Sequence, residues 1–362
     1  MCDVPALRFP EFTGEWERHK LSEVCSFYSG GTPSSSKKEY YNGNIPFIRS
    51  GELHKDYTEL FITEAGLSNS AAKLVETGDL LLALYGATSG DIAISKIKGA
   101  INQAILCIRT KQNKKFIESV WNKHVERLLQ TYLQGGQGNL SADIVKNIPF
   151  YFANSNEQDK LAKFISLLDE RIATQNKIIE KLETLIKGII ETVISSQKPN
   201  TLIKNCLECN SSTLQESQVA ETGTFPVYGA TGISGYTETA DINGESILII
   251  KDGSSVGIVK FVTGEYSYIG TLNSLIAKDG YCLKYIYFAL QRFSFEPYKT
   301  GMAIPHIYFK DYGKAKIYCP SLSLQTLIAQ KLSLIENKME VEKRIILCYQ
   351  LQKSYLLSRM FI

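Results

Sequence analysis

The sequence predicts an α+β chain built twice: two repeated globular domains separated by two long helices, the helices packed as an antiparallel coiled coil about a pseudo-twofold axis. Two observations predict it. Residues 156–195 hold apolar side chains at seven-residue spacing over more than four heptads. The strand, loop and helix signals that precede this stretch then recur about 167 residues later. The predicted divisions are a first domain at 1–154, a central helix at 155–197, a second domain at 198–322 and a C-terminal helix at 323–362.

The central helix carries two interleaved series. Ile165, Ile172, Ile179, Ile186 and Val193 form one, and Leu161, Leu168, Gln175, Leu182 and Ile189 the other. Together they make an a/d seam with Gln175 as its only polar lapse, and isoleucine at one position with leucine at the other favours a two-helix pairing. At about 1.5 Å per residue such a helix extends roughly 60 Å. Shifting it by 167 positions superimposes it on the C-terminal stretch, where Leu161, Ile165, Leu168, Ile172 and Ile179 fall on Ile328, Leu332, Ile335, Met339 and Ile346. The lapse repeats, Gln175 falling on Glu342, and Tyr349, Lys353 and Leu356 continue the seam less regularly. An antiparallel pairing follows from the order domain, helix, domain, helix, which would set the two domains at opposite ends of a helical ruler.

In the first domain Trp16, Leu21 and Val24 lead into a turn-rich segment in which Gly30, Gly31 and Pro33 break structure and Asn42-Gly43 signals a turn. A short strand IPFIR follows, then DLLLALYG after Gly78, the glycine-bounded loop ATSG, the strand DIAIS, a turn holding Lys96, Lys98 and Gly99, and INQAILCIRT as a single strand. Phe116, Val120, His124 and Leu128 mark a helix over 114–133, ended by the glycine loop at 135–138. Short strands with one helix argue against a doubly wound sheet. The second domain repeats the plan. Gly78–Leu82 aligns with Gly244–Leu248, YGATSGDIAI with KDGSSVGIVK so that Gly86 and Gly90 match Gly253 and Gly257, and Asn102-Gln103 with Leu272-Asn273. A helix at 282–293 precedes Gly301, and IPHIYFKDYGKAKIYCP matches LSADIVKNIPFYFA.

The net charge of +3 neither implies nor excludes nucleic acid. No apolar run is long enough for a signal segment or a bilayer span, so a cytoplasmic protein with no membrane partner is expected. Of eight cysteines only Cys206 and Cys209 make a CxxC, and reduced structural thiols are the expected reading. No GxxxxGK[ST], no GxGxxG after a strand, no HExxH and no methyl-donor fingerprint occurs, the four histidines are scattered, and the carboxylates are too dispersed for a two-metal centre. No catalytic residue, metal or cofactor is therefore assigned to this chain.

Recognition remains. Loops of the first domain carry Lys37, Lys38, Arg49, Lys96 and Lys98 beside Tyr41, Thr88 and Ser89; those of the second carry Lys251, Lys260, Lys299, His306 and Lys310 beside Ser254 and Ser255. Cations on loops suit phosphate contacts, and neighbouring hydroxyls suit base edges. These are the candidate DNA-binding residues, each weighed against an ordinary solvated side chain.

The whole chain resembles the specificity subunit of type I restriction–modification systems. The resemblance is carried by WERHKLSEVCSFYSGG at 16–31, IPFIRSGEL at 45–53, Gly78–Leu81, Asn102-Gln103 and the Glu157-Gln158 pair opening the first long helix, with Pro320 and Gln325 in the second copy. Ala153-Asn154 stands where the family often has proline, and LIKNCLECNSS at 202–212 is a degenerate echo of HKLSEVCSFYS. The resemblance implies two target recognition domains, each reading half of a split duplex target in the major groove, and helices that set the spacing and dock two methyltransferase subunits. It implies a non-catalytic chain, with S-adenosylmethionine, ATP and Mg belonging to partner subunits: the methyltransferases and, where the system includes them, translocase–nuclease subunits. The loops of the two heads differ throughout, so an asymmetric target is expected. The alternatives are a coiled-coil scaffold without sequence preference, and a self-sufficient DNA methyltransferase or nuclease, for which the motifs are missing.

Overall fold

The computed structural model describes residues 4–132, 139–301 and 303–362. The glycine loop expected at 135–138 and the last residue of the helix expected at 114–133 lie outside them. Two units result, Met1–Gln175 with Ile345–Ile362 and Asn176–Arg344. The division falls inside both long helices, so each unit owns a segment of each.

The first unit comprises β1 (Glu17–Lys20), α1 (Leu21–Val24), β2 (Cys25–Ser29), β3 (Tyr41–Ile48), β4 (Phe61–Ile62), α2 (Glu64–Ser68), β5 (Lys73–Val75), β6 (Leu80–Ala83), β7 (Ile92–Ile94), β8 (Gly99–Ile101), β9 (Ile105–Thr110), α3 (Lys114–Tyr132), α4 (Ala142–Asn147), β10 (Pro149–Phe152) and the start of α5 (Ser155–Ile190). One antiparallel sheet runs in the order β2-β9-β6-β7. Its strands alternate with period two, as a sheet buried on both faces requires. Leu80, Leu82, Leu106 and Ile108 pack with Phe116, Val120 and Trp121 of α3, while Leu81, Ala83, Ile105 and Cys107 pack with Ile48, Val75 and Ile101. These last residues come from a second sheet, ordered β4-β3-β8-β5.

Two local expectations change. Asn42-Gly43 does not turn the chain back: Asn42, at φ 58°, sits in a bulge of β3, where Tyr41 and Ile45 both face Ile62. INQAILCIRT is two strands in different sheets, because Asn102 leaves the ladder, its Oδ1 accepting from the N–H of Ala104 at 3.0 Å.

The second unit comprises the end of α5, β11 (Thr201–Leu202), α6 (Ile203–Cys206), β12 (Leu207–Ser211), β13 (Phe225–Gly229), β14 (Gly232–Thr237), β15 (Ile242–Ile250), β16 (Val259–Tyr268), β17 (Leu272–Ala277), α7 (Leu283–Gln291), α8 (Phe309–Tyr312), β18 (Lys316–Ile317) and most of α9 (Leu322–Met360). Its sheet is ordered β12-β17-β15-β16-β13-β14. The first four strands repeat β2-β9-β6-β7, and the ribbon β11–β18 repeats β1–β10. The repeat extends to single hydrogen bonds. Leu84 N donates to Ala104 O as Lys251 N does to Thr271 O; Gly90 N to Ala83 O as Gly257 N to Ile250 O; Leu140 N to Leu84 O as Ile307 N to Lys251 O. Each pair is offset by 167. This register corrects two sequence alignments: the pairings Leu80–Ile108 and Ile247–Leu275 match Leu80 to Ile247 rather than to Ser246, and Leu272 to Ile105 rather than to Asn102.

The seam is buried where the heptads place it. In the first unit Leu161 and Ile165 share a core with Leu356, Met360 and Phe361. There Asp169 binds Lys353 and Arg171 lies over Tyr349, so the α5 and α9 segments run antiparallel. In the second unit Ile186, Ile190 and Ile194 share a core with Ile328 and Leu332, with Ile335 and Met339 packed against it. Leu168, Ile172, Ile179, Leu182 and Ile346 are half-buried, and the polar positions Gln175 and Glu342 are buried. One seam position slips. A π turn at Glu191–Ser195 adds a residue to the last turn, leaving Val193 37% exposed and burying Ile194 to 3%.

Candidate nucleic-acid interface

In the second unit two loops are stitched together at one end of the sheet. Residues 251–257 join β15 to β16, and Gly253 and Gly257 hold φ 103° and 93°, which side chains rarely adopt. Gly253 N donates to Pro305 O at 2.9 Å and Ile307 N to Lys251 O at 3.0 Å, while Thr300 and His306 exchange backbone bonds of 2.9 and 2.8 Å. Lys251, Ser254, Ser255, Lys299 and His306 thus meet on one rim. The rim extends through His306, whose ring is tilted against that of Tyr308 with centroids 5.9 Å apart, to Lys310, whose ammonium lies 5.2 Å from the Tyr308 ring. Lys299 is paired with Glu296, and the His306 imidazole stands 3.9 Å from Asp252. Lys260, near the start of β16, lies 4.7 Å from the ring of Tyr228, which packs edge-on against Tyr266. Lys251, Ser254, Ser255, Lys299, His306 and Lys310 therefore share one end of the sheet, while the Lys260 side chain reaches Tyr228, which pairs with the last residue of β16.

The first unit distributes its candidates over separate neighbourhoods. Thr88 and Ser89 lie in the loop corresponding to 251–257, and Ser89 Oγ donates to Leu84 O at 3.0 Å. Lys96 Nζ donates to the His54 carbonyl at 3.0 Å, and His54 Nε2 lies 2.8 Å from Asp91, a hydrogen bond that raises the imidazole pKa. Lys98 pairs with Glu76. Near the start of β3, Lys37 donates to the Tyr40 hydroxyl at 2.9 Å, the Tyr41 hydroxyl donates to Pro33 O at 2.6 Å, and Lys38 is exposed. Arg49 is occupied, its guanidinium binding Glu52 at 2.7 Å and Glu59 at 3.0 Å. Burial of Glu52 opposes its ionisation. Hydrogen bonds from the Arg49 side chain and N–H and the Thr58 hydroxyl outweigh this and hold the carboxyl down at about 2.

Glu157, Gln158 and Gln325, named in the motif reading without a role, position the long helices. Glu157 is buried and takes both oxygens to Arg8, each bond 2.7 Å. Gln158 donates to Ala153 O at 2.7 Å and accepts from Asn113 N at 3.1 Å; Gln325 does the same with Pro320 O at 2.8 Å and Cys282 N at 3.0 Å. One glutamine thus ties each long helix to the start of the main helix of its own repeat, α3 or α7. A lysine reinforces each joint, Lys115 to Asp169 and Lys284 to Glu336. The signal was visible as the recurring glutamine, but its partners lie about 45 residues back in sequence.

With this geometry in hand, comparison with known proteins is direct. Residues 13–184 and 205–347, one segment for each repeat, match the family described as "Type I restriction modification DNA specificity domain". The chain belongs to that family. Its similar relatives include the type I restriction enzyme EcoR124I/EcoR124II specificity subunit of Escherichia coli, 27% identical over 49% of this chain and 45% of that one. The MjaVIII specificity subunit of Methanocaldococcus jannaschii is 24% identical over 53% and 44%. This chain thus spans about half the length of those relatives. The EcoprrI specificity subunit of Escherichia coli matches at 22% identity over 85% of this chain and 84% of the relative. The crystal structure of a type I restriction–modification S subunit from M. genitalium superimposes with TM-score 0.70 at 17% identity over 99% of both chains, which shows the same fold. The specificity family thus accounts for the twice-built α+β architecture and the paired helices. No helix among the described residues is long and apolar enough to cross a membrane.

Proposed function

We propose that this chain is the DNA-reading subunit of a type I restriction–modification complex, recognising a bipartite, asymmetric duplex target. The observation that carries the reading is one frame used twice with unlike insertions. Between β2 and β6 the first unit builds β3, β4, α2, β5 of a second sheet, whereas between β12 and β15 the second unit adds only the hairpin β13–β14. Identical frames presenting different surfaces suit two half-sites of different sequence. Lys251 and Lys310 on the rim, with Lys260 on β16, suit phosphate contacts, and Ser254, Ser255 and His306 carry hydrogen-bonding groups suited to base edges.

The long helices carry exposed leucines away from their seam: Leu167, Leu185, Leu327, Leu334, Leu347 and Leu351. Exposed apolar side chains on a helix suit docking of partner subunits. The partners proposed are two methyltransferase subunits and translocase–nuclease subunits. These would hold S-adenosylmethionine, ATP and Mg, this chain itself being non-catalytic and cytoplasmic. Incubating the chain with duplex DNA and labelled S-adenosylmethionine tests the division of labour. Label should reach DNA only when methyltransferase subunits are added, and transfer by the chain alone would contradict the reading. A chain that binds all duplexes equally in the complex would favour the scaffold alternative.

A further inference from the structure

We propose that residues 54–57 form the duplex-contacting rim of the first unit, the functional counterpart of the rim that residues 251–257 and 300–310 make in the second. This rests on the DNA-reading function above and names the residues that serve it in the first unit. The segment belongs to the insertion between β2 and β6, so the 167-residue repeat does not relate it to 300–310. The two rims nevertheless carry the same constellation. Each has a histidine facing an aspartate at one end of the glycine loop. His54 Nε2 lies 2.8 Å from Asp91, just after Gly90, and His306 Nδ1 lies 3.9 Å from Asp252, just before Gly253. Each then presents an exposed tyrosine with a lysine ammonium over its ring. Lys55 Nζ lies 5.0 Å from the Tyr57 centroid and Lys310 Nζ 5.2 Å from that of Tyr308, the tyrosines being 57% and 47% exposed. One exposed tyrosine alone needs no explanation. The same arrangement reached from unrelated segments, beside equivalent loops, points to a shared ligand.

The segment is pinned at both ends. Leu53 and Thr58 are buried, and Thr58 Oγ1 lies 3.0 Å from both Phe47 O and Glu52 Oε2. Lys55 N donates to Glu52 O at 3.0 Å, and Lys96 Nζ donates to His54 O at 3.0 Å. Lys55, Asp56 and Tyr57 are therefore displayed from a fixed backbone, which keeps the ordering cost of binding low. A lysine ammonium and a tyrosine hydroxyl suit phosphate oxygens. Asp56, exposed between them, offers an acceptor for the amino group of a cytosine. Neighbouring carboxylates that would repel a phosphate are answered, Asp91 by His54 and Glu59 by Arg49.

The test uses the full chain assembled with methyltransferase subunits, and three variants: Lys55→Ala/Tyr57→Ala, Lys55→Arg and Asp56→Ala. Fluorescence anisotropy with duplexes of unrelated sequence, over a range of salt concentrations, reads the backbone contact. The alanine pair should weaken binding about tenfold on every duplex and reduce the salt slope by about 1, while Lys55→Arg keeps the slope. Selection from random duplex DNA reads the base contact. Asp56→Ala should relax one position in one of the two specified blocks and leave the other block unchanged. An alanine pair with wild-type affinity and slope overturns the proposal, as does an Asp56→Ala complex whose blocks are both unchanged or both altered. A wild-type complex that binds all duplexes equally would instead sink the DNA-reading function, and the affinity and salt-slope measurements would still judge the rim as a backbone contact.

Discussion

Replacing Gln158 by alanine should loosen the joint between the first long helix and its domain. Gln158 is 2% exposed, and its amide donates to Ala153 O at 2.7 Å and to Gln112 Oε1 at 2.8 Å while accepting from Asn113 N at 3.1 Å. Alanine leaves the Ala153 carbonyl and the Asn113 N–H unpaired in a site that solvent barely reaches. Each stranded buried group costs about 1–3 kcal/mol, so the pair costs about 2–6 kcal/mol. Both tryptophans of the chain, Trp16 and Trp121, are buried in the core of this same unit. Tryptophan fluorescence during urea unfolding therefore reports on it. With a slope of about 2 kcal/mol/M the midpoint should fall by about 1 to 3 M. Hydrogen exchange at the Asn113 amide should accelerate in parallel. Gln325→Ala should act likewise on its own unit, read by exchange at the Cys282 amide, which Gln325 accepts at 3.0 Å. A midpoint shift below about 0.3 M, with Asn113 still protected, would refute the assignment of these glutamines as joints.

Three further outcomes are expected. Glu52 has its folded pKa depressed from 4.5 to about 2, so its contribution to stability is complete above about 4.5 and is lost as pH falls through about 2; NMR titration should find that value, and Arg49→Ala should raise it. Leu332→Ala, at a fully buried seam position, should cost about 2–5 kcal/mol in thermal or denaturant unfolding, and Ile194→Ala should be far more damaging than Val193→Ala because the π turn exchanged their environments. A heptad inserted between Gln175 and Leu182, with a matching heptad between Glu342 and Tyr349, keeps the seam in phase and adds about 10 Å. At about 3.4 Å per base pair the preferred spacer should then move by about three pairs in a selection over spacer lengths, provided the heads follow the rotation of the groove. An unchanged optimum with undiminished affinity would show that the helices do not set the spacing.

The long helices and the duplicated plan were legible because both rest on periodicity, which survives sequence divergence. Leu161, Ile165, Ile186 and Leu332 fell where the heptads put them, and Gly86 and Gly90 matched Gly253 and Gly257 because only glycine holds those backbone angles. What was not legible depends on partners distant in sequence. Asn42-Gly43 carries a hairpin signal, yet the pairing of both Tyr41 and Ile45 with Ile62 turns it into a bulge. The strand read through Asn102 divides because two sheets compete for its halves. The CxxC of Cys206 and Cys209 proved a poor guide to thiol geometry, since Cys206 lies 3.8 Å from Cys319 across the ladder end. Arg49 read as a loop cation free to meet phosphate, but Glu52 three residues on, buried at 3%, claims it. Among the candidate contact residues, residue type flagged polar and basic side chains on loops, and only the hydrogen bonds joining residues 251–257 to 300–307 showed which of them share a rim.

The most direct test of the account is a selection from random duplex DNA, using the chain assembled with methyltransferase subunits and sequencing the bound fraction. The account predicts two short specified blocks of unlike sequence, separated by an unspecified spacer of fixed length, with one block altered and the other retained when residues 1–154 are exchanged for the first domain of a relative. Enrichment of a single continuous palindrome, or of no motif at all, would contradict it.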